Sequence, residues 1–279
     1  MARISTERQD FAVGVVGGPT TVLDLRGRRI VIDPTFEPPG DHGYLTKTAG
    51  PAVSAAEVGA ADVVLVSHDL HPDNLDASGR AYALGAPVLL TGVATAARLA
   101  GPAVGLAPWE EYAFAPAPGR GRLAIRAVPA VHGPADGARD EQGNVNCEVT
   151  GFVVSGDGVP TVYLSGDNAS LDAVARIARR VGPVDVAVLF AGAARVPAKE
   201  RGRALTLTSA RAAAAAEILG APVVVPAHYD GWAHFTEGAD RVAAAFDDAG
   251  LSDVLRLPPL GEWADLRPGA PVTAPGAAS

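Results

Sequence analysis

Cysteine is all but missing: Cys147 is the only one in 279 residues, so no disulfide can form within the chain and a reducing compartment is expected. Lysine is nearly as scarce, with Lys47 and Lys199 alone among 23 basic side chains. Against these stand 31 acidic residues, giving a formal charge of −8 and excluding the basic surface that non-specific nucleic-acid binding needs. No apolar run approaches the roughly 20 residues of a membrane span. The stretch Phe11 to Gly17 follows charged residues and is too short for a signal peptide, so a cytoplasmic location is expected. Small and apolar residues are plentiful. Hydrophobic types reach 48%, enough for the core of one large domain, expected over residues 1–267. The Pro-, Ala- and Gly-rich tail, 268–279, is expected to be disordered.

Chemistry concentrates at the ends of apolar runs. Ala61 to Val66 reads as a buried strand and leads into Ser67-His68-Asp69-Leu70-His71-Pro72-Asp73-Asn74-Leu75-Asp76. Leu123 to Val131 runs into His132, Thr161 to Leu164 into Ser165-Gly166-Asp167, and Pro222 to Ala227 into His228. Open α/β sheets present their chemistry at the carboxyl ends of strands. Neutral imidazoles and carboxylates gathered there are the usual ligands of zinc and similar cations. One such histidine is unremarkable as a loop or core residue; the whole set at strand ends points to a metal site.

The order of elements fits this placement. The first half reads as two N-terminal strands joined at Arg26-Gly27-Arg28, then a long polar loop from Glu37 to Gly50, then a strand and a helix from Leu75 to Leu84. Glu111 to Ala115, Leu123 to Val131, Cys147 to Ser155 and Thr161 to Leu164 look antiparallel, the last two joined at Gly156-Asp157-Gly158. Helix and strand then alternate: a helix from the Ser170 cap to Val181, a strand to Phe190, an Ala-rich helix from Ser209 to Gly220 and a strand at Val223 to Val225. A helix from Ala239 to Ala249 and a final strand at Val254 to Leu257 complete the pattern. Two successive β-then-α halves predict an α/β (α+β) four-layer αββα sandwich.

The motif order resembles the metallo-β-lactamase superfamily, and within it the branch of ascorbate-6-phosphate lactonases and N-acyl-phosphatidylethanolamine-type phosphodiesterases. The shared signature is H-x-H-x-D-H, then a distant His, an Asp after a strand and a final His. His68 matches its first His, with one extra residue before His71, so Leu70 takes the place an ungapped reading gives to a ligand. His71-Pro72-Asp73-Asn74-Leu75-Asp76 matches the H-x-D-H-L-D portion except at Asn74. The opening strands, ending in Asp33-Pro34, are also similar to that branch.

The resemblance implies a metallo-hydrolase. It implies a first ion on His68, His71 and His132, and a second on Asp73, Asp167 and His228 with Asp167 bridging. The cofactor implied is one or two Zn²⁺, with Mn²⁺ or Fe²⁺ as alternatives, because Asn74 replaces a histidine and leaves the second set rich in oxygen. Asp73, Asp167 and His234 are the expected catalytic groups. Asn74, Asp76, Asp230 and Trp232 are expected behind the ligands or against substrate; for Asp76 a first-turn helix carboxylate favoured by the helix dipole is an equal alternative. Arg195 and Lys199 are candidates for binding a phosphate or carboxylate. The expected substrate is a small lactone or ester. A dinuclear phosphodiesterase and a non-catalytic metal- or ligand-binding protein are the competing readings.

Overall fold

The computed structural model describes residues 2–115 and 121–266. The expected disordered tail lies outside them. The chain opens with β1 (Phe11–Gly17), β2 (Thr20–Leu25) and β3 (Arg28–Ile32), an antiparallel run. The β2–β3 turn uses positive φ at both Arg26 and Gly27, the backbone that closes a tight hairpin with the twist of its strands. A small hairpin follows, β4 (Gly40–His42) and β5 (Leu45–Lys47), where the sequence suggests only a polar loop. Beyond a four-residue turn α1 (Ala55–Val58) come β6 (Val63–Val66), α2 (Ala77–Leu84), β7 (Val88–Gly92), α3 (Val93–Leu99) and β8 (Ala103–Leu106). These strands extend the first sheet in the order β1-β2-β3-β6-β7-β8, parallel from β3 onward.

The second half repeats the plan. β9 (Glu111–Phe114), β10 (Leu123–Pro129), β11 (Thr150–Gly156) and β12 (Val159–Leu164) pair antiparallel. α4 (Leu171–Val181), β13 (Val186–Phe190), α5 (Ser209–Leu219), β14 (Val223–Ala227) and α6 (Ala239–Asp248) then add parallel strands. Ser170 caps α4 through the Ala173 amide, and Gly220 ends α5 in the left-handed conformation that lacks a steric penalty only for glycine.

Alternate strand residues divide between layers. Leu23, Ile30, Ile32 and Leu65 meet Ile125, Phe152, Val154 and Val188 between the sheets. Tyr163, Ala187 and Val224 face Val174, Ile177, Ala212 and Phe246 of the helices behind the second sheet. Val22, Val31 and Val64 face Val58, Ala83 and Leu99 behind the first. The result is the αββα sandwich that the sequence predicts. Each fully buried Leu, Ile or Phe contributes about 1.5–3 kcal/mol to holding the layers together.

Three local expectations need correction. Residues 254–257 form no strand: Leu255 makes a single parallel bridge to Val224 after a 3₁₀ turn at Ser252–Val254. Cys147 lies in the loop before β11. Pro72, Asp73 and Asn74 keep the chain in turns, so α2 begins only at Ala77. No helix among the described residues is long and apolar enough to cross a membrane.

Candidate metal centre

β3 and β6 in one sheet, and β10, β12, β13 and β14 in the other, all release their chains along one edge of the sandwich. The edges are joined there by the Thr150 amide donating to the Ser67 carbonyl at 3.0 Å. His68 and Asp73 follow β6, His132 follows β10, Asp167 follows β12 and His228 follows β14. In the dense 67–76 segment, Asp69 turns away to Arg98 at 2.6 Å and Leu70 is exposed. His68, His71, Asp73 and Asn74 turn inward and are buried. The extra residue between the histidines is therefore absorbed by a turn that puts Leu70 in solvent.

Two groups of donors form, each with its ligand atoms within 4.8 Å of one another: His68, His71, His132 and Cys147 in one, Asp73, Asp167 and His228 in the other. His71 Nδ1 lies 2.8 Å from His68 Nε2 and 3.0 Å from His132 Nε2. Three imidazole nitrogens converging on one point suit a shared cation better than they suit each other, because neutral rings cannot all donate. Burial first, then the neighbouring rings, holds His68 and His132 well below the usual histidine range; burial pushes His71 down to about 4. The rings are thus neutral, as metal ligation requires.

Asp167 stands between the groups. Its Oδ2 is 3.5 Å from His132 Nε2 and its Oδ1 is 3.3 Å from His228 Nε2, so one carboxylate faces both. His228 Nε2 is also 3.3 Å from Asp73 Oδ2. Ligands about 2.0–2.2 Å from a tetrahedral ion have such separations. His228 Nε2 and Asp73 Oδ1 are buried without a hydrogen-bond partner among the described residues, a costly state that a cation would relieve. The donor sets therefore fit metal ions. Burial raises Asp167 to about 6, with the charge of Asp73 adding to the shift and His228 opposing it. Asp73 is held well below its normal range: burial opposes this, but the hydrogen bond from His234 and the nearby His228 and His234 rings outweigh it.

Backbone strain marks the same edge. His228 has φ 59; its ring stacks on Phe190, 5.1 Å away, and meets a tilted Phe235 at 4.0 Å. The close approach requires Gly192, since a Cβ there would meet the His228 carbonyl at 2.0 Å. Gly166, before Asp167, combines φ 56 with a Cβ position 2.9 Å from Ser67. Non-glycine residues are strained at such φ, and strain of this kind gathers at functional sites.

Groups behind the donors fix them. His132 Nδ1 donates to the Leu205 carbonyl at 3.1 Å, leaving Nε2 to face the centre. Ser67 Oγ donates to Asp33 Oδ2 at 2.7 Å and accepts from His68 Nδ1 at 3.1 Å, which does the same for His68. Asp33, with φ 44 and fully buried, also accepts from the Ser67 amide at 2.6 Å. Burial raises its carboxyl to about 7 against the pull of those bonds. Asn74 donates through Nδ2 to Asp167 Oδ1 at 2.8 Å and to Asp33 Oδ2 at 3.2 Å. It faces the carboxylates as a donor rather than as a ligand.

Sequence reasoning overlooked Asp33 as a site residue, although its Asp-Pro was visible. It also read Cys147 as a strand residue, whereas the thiol sits with the three histidines and is pushed up to about 12, chiefly by burial. Three other expectations move. Asp76 caps α2 through the Gly79 amide, accepts from the Phe36 and Glu37 amides and pairs with Lys47 at 3.2 Å; it bonds no ligand imidazole. Asp230 accepts from the Gly18 amide at 3.1 Å, bracing the β1–β2 turn rather than a donor of the cluster. Trp232 is buried under Lys47 and His42, and its ring lies 6.2 Å from that of His234. His234 lies at the centre's margin, its Nε2 3.0 Å from Asp73 Oδ2.

Tyr44, Leu45, Val196, Lys199 and Leu205 close over the donors. Next to them, between the β4–β5 hairpin and the 195–202 segment, opens a cavity of about 620 Å³ whose wall includes His234. That is the size of a small-molecule site.

Comparison with known proteins places these features. A family profile described as the beta-lactamase superfamily domain matches residues 28–229. A UPF0173 metal-dependent hydrolase from Methanosphaerula palustris is 34% identical over 139 residues, 50% of this chain. The chain spans 58% of that relative's length. An isothiocyanate hydrolase from Delia radicum gut bacteria superposes with a TM-score of 0.75 at 19% identity, over 90% of this chain and 97% of the other. A metallo hydrolase from Ignicoccus hospitalis superposes at 0.65 and 20% identity, over 91% and 97%. At these identities the structural likeness is one of fold.

Proposed function

The chain belongs to the beta-lactamase superfamily, and from that premise we propose that it is a metal-dependent hydrolase acting on a small lactone or ester. The observation that carries this reading is the convergence of His68, His71 and His132 on one side of Asp167 and of Asp73 and His228 on the other. The relative from Methanosphaerula palustris, a metal-dependent hydrolase, supports it.

In this reading His68, His71 and His132 hold one divalent ion, zinc in the first instance, and Asp73, Asp167 and His228 hold a second. Such an ion supplies Lewis acidity, acidifying water and polarising a carbonyl or phosphoryl oxygen. The residues do the rest. Asp167, tied to Asn74, keeps one oxygen toward each donor group. Asp167, whose carboxyl burial raises, is the better proton acceptor of the two carboxylates, while Asp73 stays charged. His234 shares its Nε2 with Asp73 and lines the outer cavity, so it can return a proton to the departing alkoxide. Tyr44, Leu45 and Val196 exclude water from above.

One set of good donors suffices for acyl transfer, which favours a lactone or carboxylic ester. The second set, sharing Asp167, is the observation that favours a phosphodiester instead. The test compares 4-nitrophenyl acetate, a γ-lactone and bis(4-nitrophenyl) phosphate as substrates of the purified protein, before and after chelation. Chelator-sensitive turnover of the ester or lactone is expected. Faster turnover of the phosphodiester would replace this reading with the second, and no turnover of any of them would overturn both.

A further inference from the structure

The geometry points to a substrate that carries a carboxylate or phosphate, held in the outer cavity by Arg195 and Arg201 with Lys199 at its throat. The inference deepens the hydrolase reading above and rests on it for the bond that is cleaved.

The segment after β13 carries four cations in nine positions, Arg195, Lys199, Arg201 and Arg203, on a chain whose net charge is −8. Their pairing differs. Arg203 is neutralised twice, by Asp136 at 2.8 Å and Glu200 at 3.3 Å. Among the described residues the other three have no carboxylate partner. Arg195 Nη1 donates to the Gly202 carbonyl at 3.0 Å, which orients its guanidinium without neutralising it. Lys199 Nζ lies 3.0 Å from His71 Nε2 and 3.3 Å from Asn146 Oδ1, and sits over the Tyr44 ring at 5.2 Å. Arg201 makes no side-chain hydrogen bond among the described residues. It is held at φ 57 directly after Glu200 at φ 48, two successive non-glycine residues in the left-handed region.

The unpaired cations are the ones that face the cavity. Arg195 and Arg201 line the space of about 620 Å³, and Lys199 lines the narrower space over His71, Asp73 and Asp167. Tyr44, Leu45, Val196 and His234 are common to both, so these side chains form the wall between the outer cavity and the donors. A guanidinium fork matches a carboxylate or phosphate through two parallel hydrogen bonds, whereas an ammonium acts as a point charge. The layout gives orientation: the anion lies outward on the arginines, the apolar body against Leu45, Val196 and Pro197, and the scissile group over the metal donors. Lys199 is the cation close enough to the donors to meet charge developing on that group.

The test is calorimetric titration of the purified, metal-loaded protein with benzoate and with its neutral isostere benzamide. It is repeated for Arg201→Met, whose side chain supports no other residue, and for Arg195→Met with Arg201→Met. Wild type should bind benzoate at least about tenfold more tightly, the scale of one charge-assisted hydrogen bond, with the ratio falling toward one in the variants. Preference that survives both variants would mean the anion goes directly to the metal, and would overturn the inference. So would equal affinity for the two probes in wild type. Failure of the hydrolase reading is seen separately, as absence of ester turnover with the benzoate preference intact.

Discussion

Ser67→Ala is the most discriminating single change, because Ser67 touches no substrate and no metal in this account. Its hydroxyl sits between two fully buried groups, donating to Asp33 Oδ2 at 2.7 Å and accepting from His68 Nδ1 at 3.1 Å. Removing it leaves the His68 N–H without an acceptor in a site closed to water, a loss of about 1–3 kcal/mol. The Ser67 amide bond to Asp33 is retained, so the strand end keeps its course. Nothing then selects the tautomer or ring angle that turns Nε2 to the centre. Loss of such an outer partner lowers metal affinity by about 10–100-fold, or about 1.4–2.7 kcal/mol. Two measurements separate these effects: thermal unfolding in excess chelator gives the stability term, and competition with a chromogenic chelator gives the affinity of the metal-loaded protein. If affinity is unchanged while stability falls, Ser67 merely packs the strand end, and the ligand-orienting argument is refuted.

Other expectations follow from the same geometry. Asp167→Asn should lower turnover by at least about 100-fold with little loss of thermal stability, since an amide keeps the shape but cannot serve both donor groups as a carboxylate; steady-state kinetics beside a melting curve will tell. Asn74→Asp places a third carboxylate 2.8 Å from Asp167 and 3.2 Å from Asp33, so the chelator-treated protein should lose about 3–5 kcal/mol, partly restored by metal, in denaturant titrations. Asp33 has a carboxyl raised from 3.8 to about 7, so the folded state holds a proton that the unfolded chain has released. Its contribution is complete below pH 3.8 and fades as pH rises toward 7, whereas His71, pushed down from 6.5 to about 4, changes stability in the opposite direction over that range, and His68 and His132 act with the same sign. Bulk stability therefore mixes the two signs, but the difference between Asp33→Asn and wild type does not. In metal-free protein that difference should move in favour of the variant as pH rises from 4 to 7, by up to a few kcal/mol, and a flat difference would show that Asp33 titrates normally.

The strand-end histidines and Asp167 were legible because each follows an apolar run whose period is local. The layered sandwich was legible for the same reason, from two β-then-α halves. What escaped depends on distant contacts. Ala103–Leu106 is a strand because β7 lies beside it, its own residues being small and unremarkable. The β4–β5 hairpin is short and mostly polar, and it is anchored by buried Leu45 and by Lys47 reaching Asp76 rather than by a strand pattern of its own. Asp76 offered both a first-turn helix position and a ligand-orienting role, and contacts with Phe36, Glu37 and Lys47 together with the cap on Gly79 replace both. Cys147 and Asp33 reach the centre from loops on opposite sheets, a meeting that no spacing in the chain encodes.

The central claim is that the His and Asp cluster holds metal that the protein needs for hydrolysis. Elemental analysis of protein purified without added metal or chelator, coupled to ester turnover on the same sample, tests it most directly. The account predicts one to two equivalents of a divalent ion per chain, with turnover lost on chelation and regained on adding the ion back. Protein that binds no metal on titration, or that hydrolyses ester unchanged after its metal is stripped, would contradict it.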